Sequence, residues 1–254
     1  MRLFDSHCHL QDSRIIDELH LVMDRAQKAG VSAMLCCGCS ERDWETVFEI
    51  SKKFDSVIPA FGMHPWYIGE RSGVWLDKLE SLLKSVPKAA VGEIGLDYTL
   101  KTGNEKEQLS VFADQLRLAA RLQRPVSIHC RKAWGNLLEL LKEEKGIKQG
   151  GAIHSYSGAP QLVTLFQKLG LYISFSGSVT SKSNLKVRTS LAEVDSERLL
   201  IESDSPDLLP WACIGYNEPA NLSAIAKEIS LLLNWSVEMV SETTYRNGIK
   251  LFQR

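Results

Sequence analysis

The sequence lacks long apolar runs and an excess of charge of either sign. No run of about 18 consecutive apolar residues occurs, and an ordinary membrane-spanning helix needs one of that length. Thirty basic residues stand against 31 acidic ones, so the formal net charge is −1. No basic tail or domain marks the chain as a nucleic-acid-binding protein, and any such contact must be local.

Paired cysteine motifs and a secretory signal are also absent. The six cysteines include no pair of CxxC motifs, which argues against a structural zinc site. Cys36, Cys37 and Cys39 are too close together in sequence to pair with one another without strain. The N-terminal residues contain no apolar signal core. We therefore expect a cytoplasmic protein in which most thiols are reduced, buried side chains.

Short apolar runs alternate with longer amphipathic segments along all 254 residues. Runs of four to six residues that are rich in Val, Ile and Phe are typical of buried parallel strands. Eight such runs cover residues 3–8, 33–37, 57–61, 89–94, 126–129, 151–154, 171–175 and 199–202. The alternation of eight strands with helices predicts an α/β fold, the (β/α)8 TIM barrel.

The pattern favours one domain over residues 1–254. No linker or low-complexity tract divides the chain, and barrels of this kind commonly have about 250 residues. Beyond the eighth strand, residues 218–235 and 237–252 predict two extra C-terminal helices. The main competing architecture is a doubly wound open sheet, which normally carries a glycine-rich phosphate-binding turn after an early strand. This chain has no such turn there.

The histidines number only six, and five of them lie at the ends of predicted strands. In a barrel the carboxyl ends of all strands meet at one face, where the loops build the active site. The five strand-end residues are His7, His9, His64, His129 and His154. His7 and His9 are two residues apart, so the geometry of a strand points both imidazoles to the same side.

Two carboxylates join these histidines at the predicted strand ends. Glu93 ends the fourth strand and Asp204 follows the eighth. Buried carboxylates are costly without a neutralising partner, and neutral imidazoles suit a divalent cation. The candidate ligands of such cations are His7, His9, Glu93, His129, His154 and Asp204.

The number of candidate ligands favours two ions. A catalytic zinc usually takes about three protein ligands, so six divide between two ions with a carboxylate, Glu93 or Asp204, as a bridge. Histidine and carboxylate ligands are compatible with Zn²⁺, Mn²⁺ and, less well, Mg²⁺. Paired ions of this kind activate water for hydrolysis.

Seven short motifs follow one another in a characteristic order. They are residues 5–10 (DSHCHL), 62–65 (GMHP), 92–98 (GEIGLDY), 128–131 (IHCR), 153–158 (IHSYSG), 202–206 (ESDSP) and 217–219 (NEP). Together they resemble the TatD family of metal-dependent deoxyribonucleases, a branch of the amidohydrolase-like TIM barrels. The resemblance extends from residue 2 to about residue 252.

The resemblance implies a divalent-metal phosphodiesterase that trims single-stranded DNA from the 3′ end. Because no apolar run is long enough to span a membrane, we expect no membrane association, and we predict no obligate protein partner. By motif match, one ion would be held by His7, His9, Glu93 and Asp204, and the other by Glu93, His129 and His154, with Glu93 as the bridge. Asp204 would also accept a proton from the attacking water. His64 and Arg131 would contact the substrate phosphate.

The chain departs from the family pattern at two places. Ser203 replaces a common threonine, but it keeps the hydroxyl and should face away from the cavity. Residues 207–209 (DLL) stand where relatives often have an aromatic residue, which affects the expected substrate preference and leaves hydrolysis unaffected.

Two other functions remain open from the sequence. The first is an amidohydrolase-type hydrolase of a small ester, lactone or amide, which the neutral net charge favours. Many such barrels use a carboxylated lysine on the fourth strand, where this chain has Glu93, and this favours the nuclease. The second is a non-catalytic adaptor, which the complete ligand set disfavours.

Several surrounding side chains have both a functional and a structural interpretation. The aromatic residues near the strand ends would either stack on bases or enclose the metals; they are Trp66, Tyr67, Tyr98 and Tyr156. The basic residues after the seventh strand would either track phosphates or form a solvated helix face; they are Lys182, Lys186 and Arg188.

Overall fold

The computed structural model describes residues 1–99, 103–211 and 213–253. Within these ranges, eight parallel strands form one sheet in sequential order. They are β1 (Leu3–Cys8), β2 (Val31–Cys37), β3 (Val57–Phe61), β4 (Ala90–Asp97), β5 (Val126–Arg131), β6 (Gly151–Ile153), β7 (Leu171–Phe175) and β8 (Leu199–Ile201). The helices between and after them are α1 (Leu19–Lys28), α2 (Trp44–Lys53), α3 (Trp75–Ser85), α4 (Glu105–Leu122), α5 (Trp134–Glu143), α6 (Pro160–Lys168), α7 (Leu185–Ala192), α8 (Leu222–Leu233) and α9 (Val237–Phe252).

The predicted (β/α)8 barrel with additional C-terminal helices is confirmed, and the differences lie at element ends. Strand β4 continues three residues beyond the predicted end because Asp97 still pairs with Arg131 of β5. Strand β8 ends at Ile201, so Glu202 follows the strand. Helix α8 begins at Leu222, and a short 3-10 turn, Pro219–Asn221, precedes it where the sequence predicted helix.

The barrel closes where its last strand returns to its first. The backbone N–H of Asp204 donates to the carbonyl oxygen of His7 at 2.9 Å, and the N–H of His9 donates to the carbonyl oxygen of Ser205 at 2.8 Å. These two hydrogen bonds join residues that are almost 200 positions apart in sequence, just beyond the end of β8. The seam of the barrel therefore lies beside the predicted metal ligands.

The amino-terminal end of the barrel is filled and covered by apolar side chains. Phe4 on β1 and Tyr172 on β7 pack in one buried cluster with Leu251 and Phe252 from the end of α9. The rings of Phe4 and Phe252 stack with their centroids 6.0 Å apart. Because α9 covers this end, the carboxyl ends of the strands remain available for polar groups, as in other barrels.

The helices surround the sheet because each has an apolar face that needs to be buried. Helix α1 buries Leu19, Val22 and Met23, which recur at the spacing of one helix face. Gly30 and Gly170 follow α1 and α6 with φ of 92° and 94°, a conformation that favours glycine and ends a helix. In the described ranges, no helix combines the length and apolar character that crossing a membrane requires.

Candidate metal centre

A cleft of about 790 Å³ opens at the carboxyl ends of the strands. Its walls include four of the five strand-end histidines, namely His9, His64, His129 and His154. Glu93 and Asp204 line the same cleft, and His7 lies directly behind them, fully buried. His20, the sixth histidine, belongs to α1 and contacts Phe54 instead.

One half of the ligand cluster is formed by His7, His9, Asp204 and one oxygen of Glu93. The Nε2 atoms of His7 and His9 are 3.1 Å apart, so the two side chains do converge as the strand period predicts. Glu93 Oε2 lies 3.4 Å from His7 Nε2 and 3.5 Å from His9 Nε2. Asp204 Oδ1 lies 4.0 Å and 3.8 Å from the same two nitrogens. Four donor atoms thus face one small volume.

The other half of the cluster is formed around the second oxygen of Glu93. Glu93 Oε1 lies 3.0 Å from His129 Nδ1 and 2.8 Å from His154 Nε2. Those two nitrogens are 3.0 Å from each other. The Glu93 carboxylate therefore stands between two pairs of histidines, with one oxygen directed to each pair.

Hydrogen bonds on the far ring nitrogens determine which lone pairs face the cleft. The Nδ1 of His9 is 2.9 Å from the carbonyl oxygen of Cys37, so this nitrogen carries the proton and Nε2 is left as an acceptor. The Nε2 of His129 is 3.0 Å from Asp97 Oδ2, so His129 Nδ1 is likewise an acceptor. In the neutral ring this nitrogen carries no proton and faces a carboxylate oxygen, which also only accepts. Two acceptors at hydrogen-bond distance fit a site for a cation.

The electrostatics of the cluster keep two of its histidines neutral. Burial lowers the pKa of His7 to about 4 and that of His64 to about 4. Burial alone would raise the pKa of Glu93, but the surrounding histidines, led by His64 and His154, hold it well below its usual value. Neutral imidazoles and an ionised carboxylate are the forms that bind divalent ions.

Asp204 behaves differently from Glu93. Burial raises the pKa of Asp204 well above its usual value, and the nearby carboxylates of Glu202 and Glu93 raise it further. Glu202 is directed to the neighbouring loop, where its Oε1 accepts the N–H of Ser155 at 2.6 Å. Three carboxyl groups thus share one buried region, and a cation would offset their mutual repulsion.

A second layer of hydrogen bonds supports the cluster from below. Asp5 accepts hydrogen bonds from the N–H and the hydroxyl of Ser203, at 2.8 Å and 2.5 Å. Ser203 is therefore turned away from the ligands, as expected. Asn217 donates to the carbonyl oxygens of Ser203 and Asp207, both at 2.6 Å, and so fixes the loop that follows β8.

The predicted phosphate contacts lie on the open side of the cluster. His64 Nδ1 accepts the N–H of Trp66 at 3.2 Å, which leaves its Nε2 as a donor 3.4 Å from Glu93 Oε1. Arg131 is exposed at the rim of the cleft and forms no ion pair with any described residue. Arg14, also on the rim, is instead held between Asp12 and Asp207.

The structure distinguishes between the two interpretations for several of the aromatic and basic residues. Trp66 lines the cleft, is 49% exposed, and donates its indole N–H to Asp97. Tyr156 is fully buried and donates its hydroxyl to Ala159, which is a structural role. Arg188 is paired with Glu228, so it belongs to a helix–helix contact, while Lys182 and Lys186 remain exposed.

Sequence reasoning did not single out several residues that hold the cluster. Asp97 and the Cys37 carbonyl orient His129 and His9, and Ser127 Oγ lies 2.9 Å from His7 Nδ1. The sequence did offer one indication of a role for Asp97, because this residue lies within the GEIGLDY motif. Cys39 was grouped with the buried thiols, but it is partly exposed in the cleft and its Sγ is 3.7 Å from Glu93 Oε2.

Comparison with known proteins connects this geometry to a family. The chain matches the family described as TatD related DNase over residues 4–253. It is 31% identical to the uncharacterized metal-dependent hydrolase YabD of Bacillus subtilis, with 99% of each chain covered. It is 30% identical to a protein of Citrobacter koseri named 3′-5′ ssDNA/RNA exonuclease TatD, with 98% of each chain covered.

Comparison of the fold with solved structures indicates the same family. The crystal structure of the TatD homologue YJJV from Escherichia coli superposes with a TM-score of 0.95 at 27% sequence identity, covering 100% of this chain and 98% of that one. The likeness in sequence and in fold thus extends over the whole barrel. The chain therefore belongs to the TatD-related DNase family of metal-dependent hydrolases.

Proposed function

We propose that this protein removes nucleotides from the 3′ end of single-stranded DNA by metal-dependent hydrolysis of phosphodiester bonds. The observation that carries the proposal is the convergence of four histidines on the two oxygens of Glu93, at distances from 2.8 Å to 3.5 Å. The family supports a nucleic-acid substrate, and the printed name of the Citrobacter koseri relative supports single strands and the 3′–5′ direction. A cleft of about 790 Å³ is the size of a small-ligand site and suits one terminal nucleotide.

Six side chains would hold two divalent ions, Mg²⁺, Mn²⁺ or Zn²⁺. The first ion would be bound by His7, His9, Asp204 and Glu93, and the second by His129, His154 and Glu93. Glu93 suits the bridge because its two oxygens face different histidine pairs. When bound, such ions supply Lewis acidity at the phosphate and lower the pKa of a bound water.

Asp204 is proposed as the general base. Its carboxylate lines the cleft beside His7 and His9, and its backbone is fixed by the hydrogen bond to the His7 carbonyl oxygen. Its φ of 55° turns the chain sharply at the end of the barrel strand, where loops carry catalytic groups. In this position Asp204 would take the proton that the attacking water loses.

His64 and Arg131 are proposed to bind the phosphate that is cleaved. The Nε2–H of His64 is a donor at the cluster, and the Arg131 guanidinium is free for a charge-assisted pair of hydrogen bonds. The exposed face of Trp66 lies on the same side, with its ring centroid 6.4 Å from that of His129. A terminal base would stack on this face, which every base can do because each has a π-surface.

The alternative is hydrolysis of a small ester, lactone or amide at the same centre. The net charge of −1 favours it, because nucleases of single strands commonly have a positive groove. Many amidohydrolase-type barrels carry a carboxylated lysine on the fourth strand. Here Glu93 takes that place, and no lysine is found among the described residues that line the cleft, which favours the nuclease. The assay below separates the two substrates.

The test uses metal-stripped protein and a 5′-labelled single-stranded DNA oligonucleotide, with and without added Mg²⁺, Mn²⁺ or Zn²⁺. The expected result is a metal-dependent ladder of products shortened from the 3′ end. His129→Ala should abolish the ladder, whereas His20→Ala, a histidine of α1 outside the cleft, should not. The absence of cleavage from protein that binds two ions would overturn the nuclease and favour the small-molecule hydrolase.

Asp204→Asn tests the proposed base. Loss of a positioned general base should reduce the single-turnover rate by about 10²- to 10⁴-fold while the fold survives. The matched control is Asp207→Asn, which changes a carboxylate that pairs with Arg14 on the rim of the cleft and should retain hydrolysis. Circular dichroism and metal content should accompany the rates. Unchanged hydrolysis by Asp204→Asn would rule out this role.

A further inference from the structure

Cys39 is the thiol that enters the ligand cluster. Its Sγ lies 3.7 Å from Glu93 Oε2 and 3.7 Å from His9 Nδ1, the ring nitrogen opposite the one that faces Glu93, so the thiol lies beside two of the proposed ligands. Of the six cysteines, Cys39 and Cys213 are partly exposed, and Cys213 does not line the cleft. Cys39 thus combines access from the cleft with contact to proposed ligands.

The backbone holds Cys39 in this position. Its N–H donates to the Asp43 carboxylate at 2.9 Å, and its carbonyl oxygen accepts the N–H of His64 at 2.8 Å. The preceding residue, Gly38, accepts the N–H of Glu93 at 2.8 Å. The loop after β2 is therefore tied directly to two residues of the cluster, and these bonds hold the backbone of Cys39 beside it.

The thiol belongs to one half of the cluster. It approaches Glu93 Oε2, the oxygen that also faces His7 and His9. Two donors on one zinc ion, with bonds of about 2.3 Å to sulfur and about 2.1 Å to oxygen at a tetrahedral angle, are separated by about 3.6 Å. The Sγ–Oε2 distance of 3.7 Å matches this spacing.

We infer that Cys39 is a further metal ligand, which coordinates as a thiolate the ion on the side of His7 and His9. The inference rests on the proposed two-ion centre and adds a sulfur donor to its nitrogen and oxygen donors. On binding, the thiol proton leaves to solvent and the Cys39 sulfur forms the bond to the ion. Because thiolate is a soft ligand, the centre prefers Zn²⁺ or Co²⁺ over Mg²⁺ and Mn²⁺.

The first test is absorption spectroscopy of the full-length protein loaded with Co²⁺ alone. A cobalt–thiolate bond gives a charge-transfer band in the near ultraviolet, and bound cobalt gives separate d–d bands in the visible. We expect both sets in the wild type and in the control Cys213→Ser. Cys39→Ser and Cys39→Ala should keep the visible bands and lose the charge-transfer band.

The outcomes distinguish the failure of this inference from that of the proposed centre. Visible bands without a charge-transfer band in the wild type would overturn the ligand role of Cys39 alone. A charge-transfer band that persists in folded Cys39→Ser would overturn it as well. No visible bands in any variant, with no cobalt bound, would overturn the proposed centre and this inference with it.

The second test is the selectivity of the metal-free protein, measured by competition against a chelator. The ratio of the Kd values for Mn²⁺ and Zn²⁺ should fall at least about tenfold in Cys39→Ser, the lower end of the losses seen when groups around a bound metal are removed. Cys213→Ser should retain the wild-type ratio. An unchanged ratio in Cys39→Ser would contradict the inferred preference, whatever the effect on activity.

Discussion

In His129, the hydrogen bond at one ring nitrogen determines what the other ring nitrogen can bind. Asp97 accepts a hydrogen bond from the Nε2–H of the neutral ring, and the opposite nitrogen is therefore available to an ion. Hydrogen bonds from His129 and Thr99 overcome the effect of burial and lower the pKa of Asp97, so it remains a carboxylate at neutral pH. A negative charge behind the ring also makes the imidazole a stronger ligand.

Asp97→Asn should therefore weaken metal binding. An uncharged amide no longer supports the ring, and removal of such partners typically costs about 10- to 100-fold in metal affinity. Titration calorimetry of the metal-free protein with Zn²⁺ measures the change. Asp12→Asn, a change at the rim of the cleft, should leave the affinity unaltered. Equal affinities for wild type and Asp97→Asn would contradict the role given to Asp97.

A second prediction concerns Asp5, which lies buried beneath the ligands. Burial raises its pKa from 3.8 to about 7. Between about pH 4 and about pH 7 the native state retains a proton that the unfolded state has released, so this contribution to the free energy of unfolding decreases as the pH rises. The Asp5→Asn side chain does not titrate, so the free energy of unfolding of this variant should lack this decrease.

Urea unfolding of the metal-free protein across this pH range provides the measurement. The free energy of unfolding of the wild type should fall relative to that of Asp5→Asn as the pH increases, and the difference should level off above about pH 7. Asp12→Asn serves as the control because the pKa of Asp12 is lowered by its hydrogen bonds to Arg14. Parallel pH profiles for wild type and Asp5→Asn would exclude the proposed protonation.

At this scale the sequence predicted which side chains meet but not what holds them. The strand-end positions of His7, Glu93 and Asp204 were sufficient to predict convergence, because barrel geometry brings all strand ends to one face. The contact between Asp97 and His129 could not be predicted, since it joins two strands and depends on how far β4 extends. The cleft-facing position of Cys39 likewise depends on the path of a loop.

At the scale of elements, α9 covers the amino-terminal end of the barrel. Gly248 lies where this helix crosses Phe4, and a Cβ at this glycine would lie 2.4 Å from Phe4 Cγ. The close approach requires a residue without a side chain. The periodicity of residues 237–252 predicted the helix with its observed bounds, but not which end of the barrel it covers.

Gly248→Ala should therefore destabilise the protein, although alanine is the better helix former. Overpacking of this kind typically costs about 1–3 kcal/mol. Gly135→Ala is the matched control, because a Cβ on that glycine of α5 meets no atom within 4 Å. Thermal unfolding should show a lower Tm for Gly248→Ala and an equal or higher Tm for Gly135→Ala. An unchanged Tm for Gly248→Ala would mean that α9 packs less closely on β1.

At the scale of the whole molecule, the charge is nearly balanced. Apart from histidines, the cations among the described cleft residues are Arg14 and Arg131, and Arg14 is already paired with two aspartates. A single-stranded substrate would therefore find few cations to neutralise its phosphates. Under the proposed function, affinity would come from the metal centre and from stacking more than from long-range attraction.

The dependence of binding on salt should be correspondingly shallow. Each neutralised phosphate of a single strand contributes about −0.7 to the slope of log K against log salt, so one or two contacts give about −0.7 to −1.4. Arg131→Ala should reduce the magnitude of this slope by about 0.7. Fluorescence anisotropy with the inactive His129→Ala variant can measure both slopes. A steep slope that Arg131→Ala leaves unchanged would indicate a basic surface elsewhere.

The seam between the first and last strands has a consequence for protein synthesis. His7 and His9 leave the ribosome almost 200 residues before Asp204 and the backbone groups that pair with them. Until that segment emerges, a nascent chain has an open sheet and an incomplete ligand set. Hydrolytic competence therefore arises only after the segment that carries Asp204 has been synthesised, so fragments that end before it would lack the activity.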